Sequence, residues 1–270
     1  MPLVKTSDGI NINYTEYNEY KNSEPLLLIM GLGAPGSLWE KHIGEYKKYF
    51  RCIAIDNRGA GESGKPAGDY RTDQMADDAI SVADALGIDE FQINGISMGG
   101  AIAQKIAINH AARVKGCVIT ASWAFCGNYM KSVFEMLKIT RGNMSYANFS
   151  RMFLLWLYSA KYYESDFCAI EESIQNNIDD LLPMPRHAFE SQASACQNHD
   201  TRESLNAVTA PVLITAGSAD IFTPVECSAY LHKNIKNSEL AVFEGYAHTH
   251  HWEDLNRYNA LTANFLRRNI

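Results

Sequence analysis

From residue 1 to residue 121, short apolar runs alternate with stretches of helical period. Leu26-Leu-Leu-Ile-Met30 is apolar at every position, as a strand covered on both faces should be. Val4 and residues 10–17 read as strands, pairing antiparallel at the sheet margin. Cys52-Ile-Ala-Ile55 is a second buried strand, and residues 37–49 between the two buried strands fit a helix. Residues 72–86 place Met75, Ala79, Val82, Ala83 and Leu86 on one helical face, with Thr72 as the expected cap and Gly87 as the stop. Residues 91–94 predict a strand, 98–109 a helix and 115–120 a strand. This β-α-β-α-β order predicts a parallel sheet with helices on both sides.

The rhythm breaks between Ser122 and Asn206. No strand pattern occurs there, and Trp123, Phe134, Phe149, Phe153, Trp156 and Tyr163 crowd into segments of helical spacing. The expected organisation is an α/β core from 1–121 and 207–270, interrupted by a helical insertion at 122–206. Beyond the insertion, strands are expected at 211–215 and 239–243. Helices are expected at 224–233 and 253–268.

Composition narrows the function. The chain has 270 residues, 46% hydrophobic, with 24 Lys plus Arg against 31 Asp plus Glu, for a net charge of -7. A core of this size needs no disulfide or metal to hold it. An acidic chain repels phosphate, so neither nucleic acid nor an anionic membrane surface is an expected partner. The apolar run at 152–158 is far shorter than the roughly 20 residues of a spanning helix, and the start has no apolar signal core. A cytoplasmic protein is expected, with a homodimer as one possible assembly. The six cysteines show no C-x-x-C and read as buried thiols.

The sharpest chemical signal is Gly95-Ile-Ser97-Met-Gly99, followed by Gly100, between an apolar strand and an Ala-rich helix. A serine on so tight a strand-to-helix turn sits in a strained backbone, costing on the order of 1–3 kcal/mol. The residues two before and two after it must lack side chains or collide across the turn. The turn lifts the hydroxyl out of the sheet and aims the Met98 amide, at a helix start, toward whatever the serine attacks.

Such a serine needs a base, and the base an orienting acid. Of eight histidines, His42, His110 and His232 fall within helices, and His187 and His199 within the insertion. His248 follows the last strand, at the carboxyl edge that Ser97 also occupies. Asp220 follows the strand before it. The chain order is then Ser97, Asp220, His248.

These residues carry a resemblance. The segments Met30-Gly-Leu-Gly-Ala-Pro35, Asp56-Asn-Arg-Gly-Ala-Gly-Glu-Ser63, Gly95-Ile-Ser-Met-Gly-Gly100 and Gly245-Tyr-Ala-His248, with Glu253 five residues on, resemble the α/β-hydrolase fold superfamily in its small esterase, enol-lactonase and perhydrolase branch. The resemblance implies a mostly parallel eight-stranded sheet with helices on both faces and a helical cap. It implies Ser97 as nucleophile, His248 as base, Asp220 as acid, and the Leu32 and Met98 amides as oxyanion hole. The sequence departs from the family at Met30, where histidine is usual. Asp56, Arg58 and Ser63 are expected to build a structural turn, and Glu253 to favour the positive end of the last helix. Gly31, Trp123 and Trp156 are candidate substrate contacts.

The expected activity is cofactor-independent hydrolysis of a small, largely apolar ester or lactone, with no metal. Three rivals remain. Gly31-Leu-Gly-Ala-Pro-Gly36 fits a dinucleotide fingerprint, although Pro35 removes an amide from it. His248, His250, His251 and Asp254 could be metal ligands if that segment were extended. The fold could also serve a small-ligand receptor that keeps the triad.

Overall fold

The computed structural model describes residues 2–17 and 23–270. Its centre is an eight-stranded sheet in the order β1-β2-β4-β3-β5-β6-β7-β8. The strands are β1 (Leu3–Lys5), β2 (Asn11–Tyr17), β3 (Glu24–Ile29), β4 (Phe50–Ile55), β5 (Phe91–Ile96), β6 (Val114–Thr120), β7 (Val212–Gly217) and β8 (Ser238–Phe243). β2 pairs antiparallel with both β1 and β4, and the other neighbouring strands pair parallel. Helices α1 (Glu40–Tyr46), α2 (Thr72–Ala85), α3 (Met98–Asn109), α9 (Val225–Asn234), α10 (His250–Glu253) and α11 (Leu255–Arg267) accompany it. Helices α4 (Asn128–Asn143), α5 (Tyr146–Leu157), α6 (Ala160–Ser165), α7 (Phe167–Ile178) and α8 (Arg186–Asn198) lie between β6 and β7.

The all-apolar β3 run divides by its two-residue period. Leu27 and Ile29 enter the core shared with α2, α3 and the 128–198 helices. Leu26 and Leu28 face the opposite layer, with Trp39, Tyr46 and Leu266. A smaller cluster of Leu154, Tyr158, Ile170 and Ile174 joins α5 to α7. Among the described residues no helix is long and apolar enough to cross a membrane. Burial pushes the Cys52 and Cys117 thiols up to about 12, whereas Cys168 is exposed and Cys227 half-buried, so the expectation of six buried thiols holds for only four.

Three local expectations are corrected. The helix expected over 37–49 opens as a 3-10 turn, Gly36–Trp39, and is α-helical only over Glu40–Tyr46; the Gly36 amide at its start, which no helical carbonyl can reach, donates to Asp56 Oδ1 at 2.6 Å. Arg71, not Thr72, is the N-cap of α2. The Thr72 hydroxyl is instead 2.9 Å from His199 Nδ1, a long-range bond that outcompetes local capping. The last helix does not run unbroken from 253. Asp254, at φ -128 and ψ 59, separates α10 from α11.

Candidate active site

Parallel register brings the carboxyl ends of β5 to β8 to one rim. Ile96 pairs with Thr120, Thr120 with Thr215, and Gly217 with Phe243. The chain leaves β5 through Ser97, whose φ of 57 and ψ of -116 lie outside the ordinary range for an L-residue. The Ser97 amide donates to Thr120 O at 2.8 Å, and Ser122 Oγ donates to Ser97 O at 2.9 Å. The neighbouring strand therefore holds the strained turn in place. The flanking glycines are obligatory for steric reasons. A Cβ on Gly95 would lie 2.3 Å from Gly99 O, and one on Gly99 would lie 2.0 Å from Ile29 O.

Asp220 and His248 are joined by their loops before their side chains meet. Ser218 N donates to Phe243 O at 3.1 Å, and Ala219 N to Tyr246 O at 2.9 Å. Gly217 permits this approach, since a Cβ there would stand 2.2 Å from Ala247 O. Asp220 Oδ1 accepts the Phe222 and Thr223 amides, both at 2.8 Å. Asp220 Oδ2 accepts the Thr223 hydroxyl at 2.6 Å and His248 Nδ1 at 2.8 Å. An ionised carboxylate can only accept, so His248 Nδ1 is the donor in this bond and Nε2 points away from Asp220. Thr223 Oγ1, at 3.1 Å, is a second neighbour of Nδ1 and lies 3.2 Å from Ala121 O, an alternative acceptor for its one proton. Ser97, Asp220 and His248 are each 5% exposed, so the rim is covered rather than open. Among the described residues neither Ser97 Oγ nor His248 Nε2 makes a hydrogen bond.

The loop after β3 flanks the serine. A Cβ on Gly31 would lie 3.1 Å from Ser97 Cβ, so this backbone runs against the nucleophile candidate. Two bonds fix the loop. Asn57 Nδ2 donates to Met30 O at 2.9 Å, and Gly33 N donates to Gln192 Oε1 at 2.9 Å. Gln192, fully buried on α8, also donates from Nε2 to Arg58 O at 2.8 Å. Sequence reasoning missed Gln192. Its signal was an amide side chain among the small residues of 191–195, on the face α8 buries. The amides of Leu32 and Met98 make no hydrogen bond among the described residues.

Phe222 was also missed, as the residue after Asp220-Ile. Its ring meets His248 edge-on, with centroids 4.9 Å apart, and contacts Phe134 at 5.6 Å and Phe153 at 6.1 Å. Phe153 reaches Phe189 at 6.4 Å, and Phe189 packs 3.6 Å from where a Gly33 Cβ would sit. Aromatic rings thus connect the histidine to the β3 loop through the 122–206 segment. Trp123 packs fully buried on Phe134 and His199, with no described contact to Ser97. Trp156 is half-buried against the main core.

The remaining motifs resolve structurally. Asp56 accepts from Gly36 N, from Asn13 Nδ2 at 2.8 Å and from Glu62 N at 2.9 Å, while Ser63 Oγ donates to Asp56 O at 2.6 Å. Arg58 donates twice to Asp78 at 2.6 Å. With the Gly33 and Gly36 amides already engaged, the Gly31–Gly36 segment offers a pyrophosphate little. His250 and His251 diverge. His250 Nε2 lies 3.0 Å from Thr215 Oγ1, and His251 Nδ1 lies 3.3 Å from His42 Nε2. Among the described residues no three His, Cys, Asp or Glu side chains are grouped to hold a metal ion. Glu253 does not serve the start of α11 as expected. It accepts from Ala247 N at 3.1 Å and pairs with Ser159 of the 122–206 segment, because the break at Asp254 turns its carboxylate away from that helix.

Known proteins agree with this architecture. The chain is similar to a putative carbamate hydrolase RutD of Caulobacter sp. (strain K31), 26% identical over 244 residues, covering 90% of each. It is also similar to 3-oxoadipate enol-lactonase 2 of Acinetobacter baylyi, 26% identical over 267 residues, covering 97% of this chain and 96% of that one. The crystal structure of the enol-lactonase from Burkholderia xenovorans LB400 superposes with a TM-score of 0.89 at 20% identity, covering 98% of this chain and 100% of that one. The family model for the alpha/beta hydrolase fold matches residues 24–255. With most of its length matched to that model, the chain belongs to the α/β-hydrolase fold family.

Proposed function

We infer that this protein hydrolyses carboxylic esters or lactones through an acyl-enzyme on Ser97. The observation that carries the reading is the Asp220–His248 pair, with Nδ1 on the carboxylate and Nε2 making no hydrogen bond among the described residues, at the rim where Ser97 stands in a strained turn. In this reaction His248 Nε2 takes the Ser97 proton as Oγ attacks the carbonyl carbon. Asp220 holds the tautomer and stabilises the imidazolium. The Leu32 and Met98 amides bind the developing oxyanion, a contribution of about 2.7–4 kcal/mol for one donor. His248 returns the proton to the leaving alkoxide, and water then cleaves the acyl-serine by the same path. Ser97 and His248 need to come within hydrogen-bond reach, a tightening that substrate binding commonly brings.

The helices at 128–198 act as a cap, and the Phe153, Phe189 and Phe222 rings favour an uncharged, mostly apolar substrate. The relatives' names, carbamate hydrolase and enol-lactonase, support attack on an acyl carbon and leave the leaving group to be determined by a panel of aryl esters, lactones and carbamates. The test is a serine-directed fluorophosphonate followed by peptide mapping. Labelling at Ser97 alone, blocking turnover of the panel, is expected. Labelling elsewhere, or full turnover by the labelled protein, overturns the reading.

A further inference from the structure

We propose that Glu253 is a positioning residue that couples the placement of the 122–206 helices to the orientation of His248. The inference rests on the reading of His248 as the general base. His248 is bracketed by the Glu253 carboxylate. One residue before it, Ala247 N donates to Glu253 Oε1 at 3.1 Å. One residue after it, Thr249 Oγ1 lies 3.1 Å from the same oxygen. The other half of the carboxylate reaches across to the junction of α5 and α6. Ser159 N lies 3.3 Å from Oε2 and 3.4 Å from Oε1, and the Ser159 hydroxyl donates to Oε2. Ser159 is buried and caps α6, accepting from Tyr162 N at 3.1 Å.

A second strut parallels the first. Thr249 N donates to Leu157 O at 3.1 Å, and Thr249 Oγ1 lies 2.9 Å from that carbonyl. The Thr249 hydroxyl has one proton and two acceptors, Leu157 O and Glu253 Oε1. Its choice links the two struts. The backbone before His248 and the Thr249 side chain after it are therefore tied to one carboxylate, and that carboxylate to the end of α5. The same helix carries Phe153, whose ring packs on Phe222, the ring lying against His248. A shift of α5 pulls on the histidine loop through Ser159 and Glu253 and on the histidine ring through Phe222. Glu253 touches neither substrate nor the reacting atoms. It acts through the loop, and misplacement of a catalytic group by about 1 Å costs about 10²-fold in rate.

The test has a spectroscopic arm and a kinetic arm. In the full-length protein, the downfield NMR resonance of the His248 Nδ1 proton, assigned through His248→Asn, reports the bond to Asp220 without any turnover. In Glu253→Ala this signal is expected to broaden or vanish, with partial recovery in Glu253→Gln, which keeps one acceptor oxygen. An unchanged signal in folded Glu253→Ala overturns the proposal. With p-nitrophenyl butyrate as probe, Glu253→Ala is expected to lower kcat by about 10²-fold while KM moves by less than about threefold. Ser159→Ala, which removes the hydroxyl bond to Glu253 together with the α6 cap and leaves the Ser159 amide contacts, is expected to reproduce part of the kcat loss. A KM-only effect in both variants overturns the proposal in favour of a merely structural bond. Ser97→Ala, run alongside, separates the two claims. Turnover retained in Ser97→Ala removes the hydrolase reading, whereas the His248 signal decides on Glu253 by itself.

Discussion

The rim of the sheet and the helices at 128–198 are built by opposite means. At the rim, backbone geometry decides. Ser97 is strained, Gly95, Gly99 and Gly217 pass within about 2 Å of where a side chain would need to be, and Asp220 receives four donors. In the helical segment, side-chain bulk decides. Phe134, Phe149, Phe153 and Phe189 fill space by edge-on contacts that tolerate other shapes of similar volume. In the proposed reaction the first region fixes where chemistry takes place, and the second shapes what can reach it.

That contrast makes one added carbon at the rim worse than several removed from the roof. Gly99→Ala places a methyl 2.0 Å from Ile29 O and has nowhere to relax. It is expected to abolish activity and lower stability by several kcal/mol, of the order seen for severe overpacking. Denaturant unfolding with near-wild-type stability would show that the turn is not rigid.

Next in size is an acid sensitivity spread through the protein. Burial lowers His42 and His250 from 6.5 to about 4 and His199 to about 3, and holds His251 well below its ordinary range as well. These folded-state values lie below the unfolded ones, so the unfolded chain binds protons that the native state refuses. Stability is complete above about pH 6.5 and falls as the pH drops toward 4, by up to about 1.4 kcal/mol per pH unit for each imidazole. Calorimetry from pH 7.5 to pH 5 should show a steadily falling Tm. A flat Tm would mean these histidines are not neutral in the folded protein.

The legibility of the sequence follows the same division. Glycine spacing around Ser97 reports steric necessity directly, and the β-α-β rhythm places Asp220 and His248 after successive strands. Those features were readable because each depends on local chain geometry. Gln192, Phe222 and the contacts of Glu253 were not, since each depends on a partner far along the chain: Gly33, Phe153 and Ser159. Thr72 shows the same limit. Its cap-like sequence position is overridden by a bond to His199, 127 residues away. Trp123, a candidate substrate contact from its place after β6, is fully buried against Phe134 and His199.

The smallest effects belong to the roof. Phe153→Leu keeps an apolar filler on α5 and is expected to cost about 1 kcal/mol while shifting preference among acyl chain lengths. Leu155, 60% exposed on the same helix, should accept serine within about 0.5 kcal/mol. Equal acyl preference in wild type and Phe153→Leu would remove that ring from the substrate's path.

The central claim is that the hydroxyl of Ser97 is the attacking group. The most direct test is kcat/KM for p-nitrophenyl butyrate in wild type and Ser97→Ala, with folding checked by circular dichroism. The account predicts that the folded variant falls to within about 10³–10⁴-fold of the uncatalysed rate, the residue left by an oxyanion hole and binding alone. Wild-type turnover by folded Ser97→Ala would contradict it.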